Sequence, residues 1–202
     1  YWSDGTPKNS FDIHNDEFRK FIVGLIDDLI KRYPIDGVNL DHIRSMGICK
    51  STSCKKDYKE KYNVSLLKDI LNSKVNENAY NRIASWNYDA LTDIVRKISK
   101  VIRNRKPHLM LSVDVHPLKR GWLLQGQDSI RWANDGLIDT IFNMDYRFQP
   151  NYDEAKEIEK QLINPKKMIM LFANYDRNYD GPKWRRVVRR PERLLQYLRE
   201  AH

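Results

Sequence analysis

Four times along this chain a helical stretch leads into a short apolar run that ends in polar residues, and this repeat limits the fold more than any other feature. The first run is Ile35-Asp36-Gly37-Val38-Asn39-Leu40-Asp41-His42-Ile43-Arg44. The others are His108 to Pro117, Leu137 to Tyr146 and Lys167 to Tyr175. Alternation in the first run puts Asn39 and Asp41 on one face and Val38 and Leu40 on the other. Strands separated by whole helices pair in parallel through right-handed crossovers. Polar groups at the C-terminal ends of such strands are where α/β folds hold their chemistry.

The intervening patterns predict helices over about 16–33, 86–105, 129–134, 152–162 and 191–200. The first carries Asp16 and Glu17 in its opening turn, Lys31 and Arg32 in its last, and Pro34 just beyond. Ser85 is the expected cap of the second, and Asp128 and Gly136 bracket the third. Residues 45–80 read as an inserted loop-helix segment with helical pieces near 55–62 and 66–71, of the kind that walls a binding cleft. The stretch after Tyr175 reads only as basic. Neither a GxGxxG nor a Walker loop is present, which argues against a doubly wound nucleotide-binding sheet. Four successive strands with polar ends instead predict an α/β fold of the (β/α)8 TIM-barrel type. The 202 residues are expected to form a single partial barrel domain.

Charge and composition exclude several classes. The net charge is +9, but the lysine and arginine clusters lack interleaved aromatics and no nucleic-acid motif appears, so no nucleic-acid partner is expected. No apolar run is long enough to span a membrane. The two cysteines, Cys49 and Cys54, lack the partners of a zinc site, and a small disulfide in an exported protein is the expectation. No cofactor and no metal site is expected. The chain opens on Tyr1-Trp2-Ser3 without an initiator Met, and a processed product or an excerpt of a longer protein is expected.

The residues Asp36-Gly37-Val38-Asn39-Leu40-Asp41-His42-Ile43-Arg44 resemble a strand of the glycosyl-hydrolase-like family 10 and neighbouring glycoside hydrolases. In that strand Asp-Gly opens an alternating run that closes on Asp, with Arg three residues on. Trp86, Lys106-Pro107, Ser112-Val113, Gln127-Asp128, Trp132, Gly136 to Asp139 and Met144-Asp145-Tyr146 follow in the family's order, so the resemblance covers about residues 9–146. The first strand also echoes chitinase-type hydrolases, but Ile43 stands where those place their catalytic Glu. The resemblance implies a TIM-type barrel acting on polysaccharide outside the cell, at its surface or in the periplasm. It places the four strands at roughly the fourth to seventh, with the remaining strands expected from the rest of the parent chain.

Glycosidases flank the scissile bond with two carboxyl groups, one acting as nucleophile or base and the other as acid. The strand ends offer Asp41, Asp114 and Asp145 on what reads as a shared face. The resemblance maps the nucleophile onto Asp41 and the acid onto Asp114 or Asp145. Asn39, His42 and His116 are candidates for hydrogen bonds to sugar, and Arg44 for a sugar contact or a bidentate pair with Asp41. Trp122, Tyr146 and Tyr175 are candidates for stacking on pyranose rings. Two other readings stay open: a non-catalytic carbohydrate-binding barrel, and a metal-dependent hydrolase or deacetylase using Asp114 and His116.

Overall fold

A computed structural model describes residues 10–117, 125–180 and 183–201. Helix α1 (Asp16–Arg32) is capped by the Asn15 side chain, which accepts from the Phe18 N–H at 2.9 Å. It feeds strand β1 (Gly37–Leu40). Helices α2 (Thr52–Tyr62) and α3 (Leu66–Asn72) form the excursion before the long helix α4 (Glu77–Arg105). Strand β2 (Met110–Val115), helix α5 (Ser129–Asn134) and strand β3 (Thr140–Asp145) follow. Helix α6 (Tyr152–Glu159), strand β4 (Met168–Phe172), a hairpin of β5 (Tyr175–Asp180) and β6 (Lys183–Val188), and helix α7 (Pro191–Glu200) complete the order.

The four parallel strands lie in sequential order, β1-β2-β3-β4. Crossovers of one hand in one direction place α4, α5 and α6 on one side of the sheet, where α1 joins them in the core. That singly wound order is the wall of a (β/α)8 barrel, and the predicted fold class holds. Val38, Leu40, Leu111, Val113, Val115 and Ile141 face the helices and form the core with Ile94, Val95 and Ile98 of α4 and Trp132 of α5. The Trp132 indole N–H is satisfied within that core by Thr92 Oγ1 at 2.8 Å. The opposite face stays open, with Met110 53% and Ile169 47% exposed. Gly37 is required at the start of β1, because a Cβ there would sit 2.8 Å from the Met110 carbonyl oxygen.

Several boundaries differ from the sequence expectation. Helix α4 begins at Glu77, nine residues before the expected start, because the Asn76 side chain caps the Ala79 N–H at 3.0 Å. Ala79, Ile83, Trp86 and Ala90 then extend its buried stripe, and Ser85 is an interior residue. Asp128 occupies the N-cap position of α5 without a capping hydrogen bond, whereas Gly136 ends that helix with φ +71 as expected. The hairpin was not foreseen. Its strands lack apolar alternation and pair Arg177 with Arg186 in register, so neither local pattern nor cross-strand charge announces it.

The excursion closes on its own small cluster of Cys54, Tyr58, Leu66, Ile83 and Trp86. Asp69 is buried there, held by both Arg82 nitrogens at 2.8 Å and by the Tyr58 hydroxyl at 2.8 Å. Cys49 and Cys54 are joined by a disulfide. No helix among the described residues is long and apolar enough to cross a membrane.

Candidate active site

The ladder between β1 and β2 ends at Leu40 and Val113, so Asp41 and Asp114 fall on the next rung, side by side at the strands' C-terminal ends. Asp114 pairs in register with Phe142, on the open face of the sheet. Asp145 lies three residues further along β3, so its side chain points to the helix side. The structure therefore brings Asp41 and Asp114 together and sets Asp145 apart from them, where the sequence reading put all three on one face.

Asp145 is 1% exposed and fully engaged. Arg147 grips it with Nε at 2.8 Å and Nη2 at 2.6 Å, and the Asn151 N–H donates at 2.9 Å. Burial pushes this carboxyl up, but the Arg147 guanidinium and the backbone N–H groups outweigh burial and hold it below the usual range.

Asp114 has the opposite environment. Burial pushes its carboxyl up, a hydrogen bond from Asn39 draws it down, and the negative charge of Asp41 pushes it up again, for a net rise. The Asn39 side-chain Oδ1 accepts from Ser112 Oγ at 2.8 Å, which turns the side-chain amide nitrogen toward Asp114. Asp41 ends the strand in a tight turn. Its Oδ1 accepts the His42 N–H at 2.7 Å, and His42 sits at φ 55, a left-handed conformation unusual for a side chain of its size.

Arg44 does not pair with Asp41. Its Nη2 donates to His42 Nδ1 at 3.1 Å and its Nε contacts Met46 Sδ at 3.4 Å. Because guanidinium only donates, the His42 ring carries its proton on Nε2, which lies 3.7 Å from Asp41 Oδ2. Burial and the charge of Arg44 lower the basicity of His116, favouring its neutral form.

Gln127 fixes this arrangement. It is fully buried, and its Nε2 donates to the Asp114 carbonyl at 3.1 Å and the Ile43 carbonyl at 3.3 Å. Its Oε1 accepts the His116 N–H at 3.2 Å. One amide thus clips the turn after β1 to the end of β2. Gly126 allows this approach: its φ is +72, and a Cβ would lie 2.7 Å from the Asn87 backbone.

Asp41, His42, Arg44, His116, Tyr146 and Tyr175 line a cavity of about 770 Å³, together with Arg186 and Arg189 from the hairpin end. Burial, and then the charges of Asp114 and Asp41, raise the Tyr146 hydroxyl. Trp122 lies outside the described residues. Among the described residues, Asp12, Cys49 and Cys54 alone place three acid, histidine or cysteine donors close enough to share an ion. Two of those donors are the sulfurs of the disulfide, and Asp41, Asp114 and His116 do not converge in that way.

Sequence reasoning gave no role to Gln127, Arg147 or Arg189. Arg147 had a visible signal, two residues after Asp145 at a strand end. Gln127 and Arg189 act from loops and a hairpin brought in by the fold, with no local pattern to mark them.

Comparison with known proteins agrees with the fold. No curated protein sequence matches the chain. The structure is similar to that of the PgaB (BpsB) glycoside hydrolase domain from Bordetella bronchiseptica, with a TM-score of 0.61 and 11% identity over 83% of this chain. The match covers 52% of that chain, so this protein spans about half its length, and at that identity the likeness shows the fold. Residues 3–175 match the family described as Glycosyl hydrolase-like 10. The chain belongs to that glycosyl hydrolase-like family.

Proposed function

We propose that this protein is a glycoside hydrolase that cleaves an extracellular or surface polysaccharide with Asp114 as general acid and Asp41 as nucleophile or base. The observation that carries this reading is the pairing of two carboxyl groups on adjacent strand ends, Asp41 lining the groove and Asp114 beside it on the neighbouring strand. Asp114 is raised by burial and by Asp41, as an acid must be to keep its proton for the leaving oxygen. Asp41 stands in the open groove, with its backbone fixed by the His42 turn. His42, His116 and Arg44 are placed for sugar hydroxyls, and Tyr146 and Tyr175 for ring faces. Asn39 positions Asp114, and Asp145 positions the β3 end through Arg147.

The Cys49–Cys54 disulfide supports an oxidising compartment. The open sheet face and the apolar side of α1, where Phe21 and Leu25 are exposed, support a single barrel domain completed by further strand–helix units of the parent chain. The test is release of new reducing ends from a panel of surface polysaccharides. Asp114→Asn and Asp41→Asn are each expected to cut the rate by about 10²–10⁴-fold. Cleavage at the wild-type rate by either variant refutes the assignment.

A further inference from the structure

The groove does not end at Asp41. It runs on past Asp176 and Arg189 into a second recess of about 680 Å³ beneath the hairpin and α7, and those two residues line both parts. The charge changes along it. Its walls carry Arg44, Arg147, Arg186, Arg189, Arg190 and Arg193, against Asp41, Asp176 and Glu192.

These arginines are not equivalent. Arg147 is taken up by Asp145 and Glu154. Arg189 is buried, donates to Asp176 at 2.6 Å and to the Arg147 carbonyl at 2.7 Å, and leaves its Nη1 without a partner. Arg193 donates to the Tyr197 hydroxyl and lies 3.6 Å over the Phe148 ring. Arg186 lies 4.8 Å over the Tyr175 ring. Among the described residues, neither Arg186 nor Arg44 has a carboxylate partner, whereas Arg19, Arg32, Arg82, Arg103 and Arg105 on the helices are each paired with an aspartate. Arg44 follows β1 at one edge of the sheet, and Arg186 belongs to the hairpin that follows β4 at the other.

We propose that the groove is built for an anionic glycan, a polysaccharide whose repeating unit carries a carboxylate or sulfate group, with Arg44 and Arg186 as the groups that hold its charges. The guanidinium fork matches both oxyanions with paired donors. A polyanion entering here meets Asp41, and cations to either side offset that repulsion. The protein's net charge of +9 draws such a polymer toward the surface from a distance. Tyr175 then presents a ring beside Arg186, the combination that holds a sugar face and its acidic substituent together.

This inference rests on the groove being a glycan site, and equilibrium binding tests it apart from catalysis. Polygalacturonate, dextran sulfate and neutral dextran are titrated calorimetrically into the protein at low and physiological salt. One anionic polymer is expected to bind at least about tenfold more tightly than dextran, and the stronger of the two identifies carboxylate or sulfate. The double variant Arg44→Gln/Arg186→Gln is expected to lose about tenfold in affinity for it. A control of equal charge loss on exposed α2, Lys55→Gln/Lys59→Gln, is expected to change affinity by less than about twofold at physiological salt. Equal binding of dextran, or equal losses in the two double variants, overturns the proposal. Anionic binding that survives in Asp114→Asn while that substitution leaves hydrolysis untouched refutes the catalytic assignment alone. Hydrolysis that depends on Asp114 but acts on neutral glycans without anionic binding refutes this inference alone.

Discussion

Three aspartates at strand ends look alike in the sequence, and their surroundings give them opposite properties. Asp114 is raised by burial and by the neighbouring Asp41. Its ionisation therefore works against the fold, and stability from this group falls as pH climbs above the unfolded value of 3.8 through its folded value. Asp114→Asn removes that loss and is expected to melt no lower than the wild type at pH 7, even where cleavage is lost as proposed. In a carbon-13 NMR titration the Asp114 carboxyl is expected above the ordinary carboxylate range and to fall when Asp41 is replaced by Asn. Asp145 is the reverse case. Its depressed carboxyl adds stability that is fully present above 3.8 and is lost as pH falls below it. Asp145→Asn is expected to cost about 2–4 kcal/mol in urea unfolding at neutral pH, the partial exposure of Arg147 trimming the cost of a broken buried pair. That difference should shrink under acid, and a variant as stable as wild type at pH 7 contradicts the role given to the Arg147 grip.

At the scale of elements, the parallel strands and most helices were legible because each carries its own period and stop signal. β1 showed Val38 and Leu40 alternating with Asn39, and α7 opened on Pro191. What could not be read was set by contacts between distant segments. Asp145 counted as a partner of Asp114 until the register placed them on opposite faces of the sheet. Gln127 acts through two carbonyls and one N–H that the fold brings to it. The β5 strand is polar and the apolar residues of β6 do not alternate, so no apolar period marked the hairpin. The disulfide was expected from two cysteines in one loop, and it ties that loop to the first turn of α2. Closing so short a loop restricts the unfolded chain modestly. Replacing both cysteines by serine is expected to lower stability by about 2 kcal/mol in chemical denaturation. The pair lies outside the residues lining the acid-bearing groove, so the rate of glycan cleavage should be retained. A large loss of rate with stability intact would tie the disulfide to the site instead.

For the whole molecule, the sheet order decides where chemistry can lie. Singly wound strands put the helices on one side and leave the other side, with its strand ends, facing a shared interior. Asp41 and Asp114 are the carboxyl groups that this topology delivers to adjacent strand ends on that side, while Tyr146, Tyr175 and the hairpin arginines border the same groove. The apolar stripe of α1 is wider than α4 can cover, so Ile22 and Ile26 pack inward while Phe21, Leu25 and Leu29 remain exposed. The proposed hydrolysis depends on Asp41 as the carboxylate that acts on the sugar or on its attacking water. The decisive measurement is polysaccharide cleavage by Asp41→Gly with and without added azide. Loss of about 10²–10⁴-fold is expected without azide, and recovery with it through formation of a glycosyl azide. Cleavage by Asp41→Gly at the wild-type rate without azide would contradict that dependence.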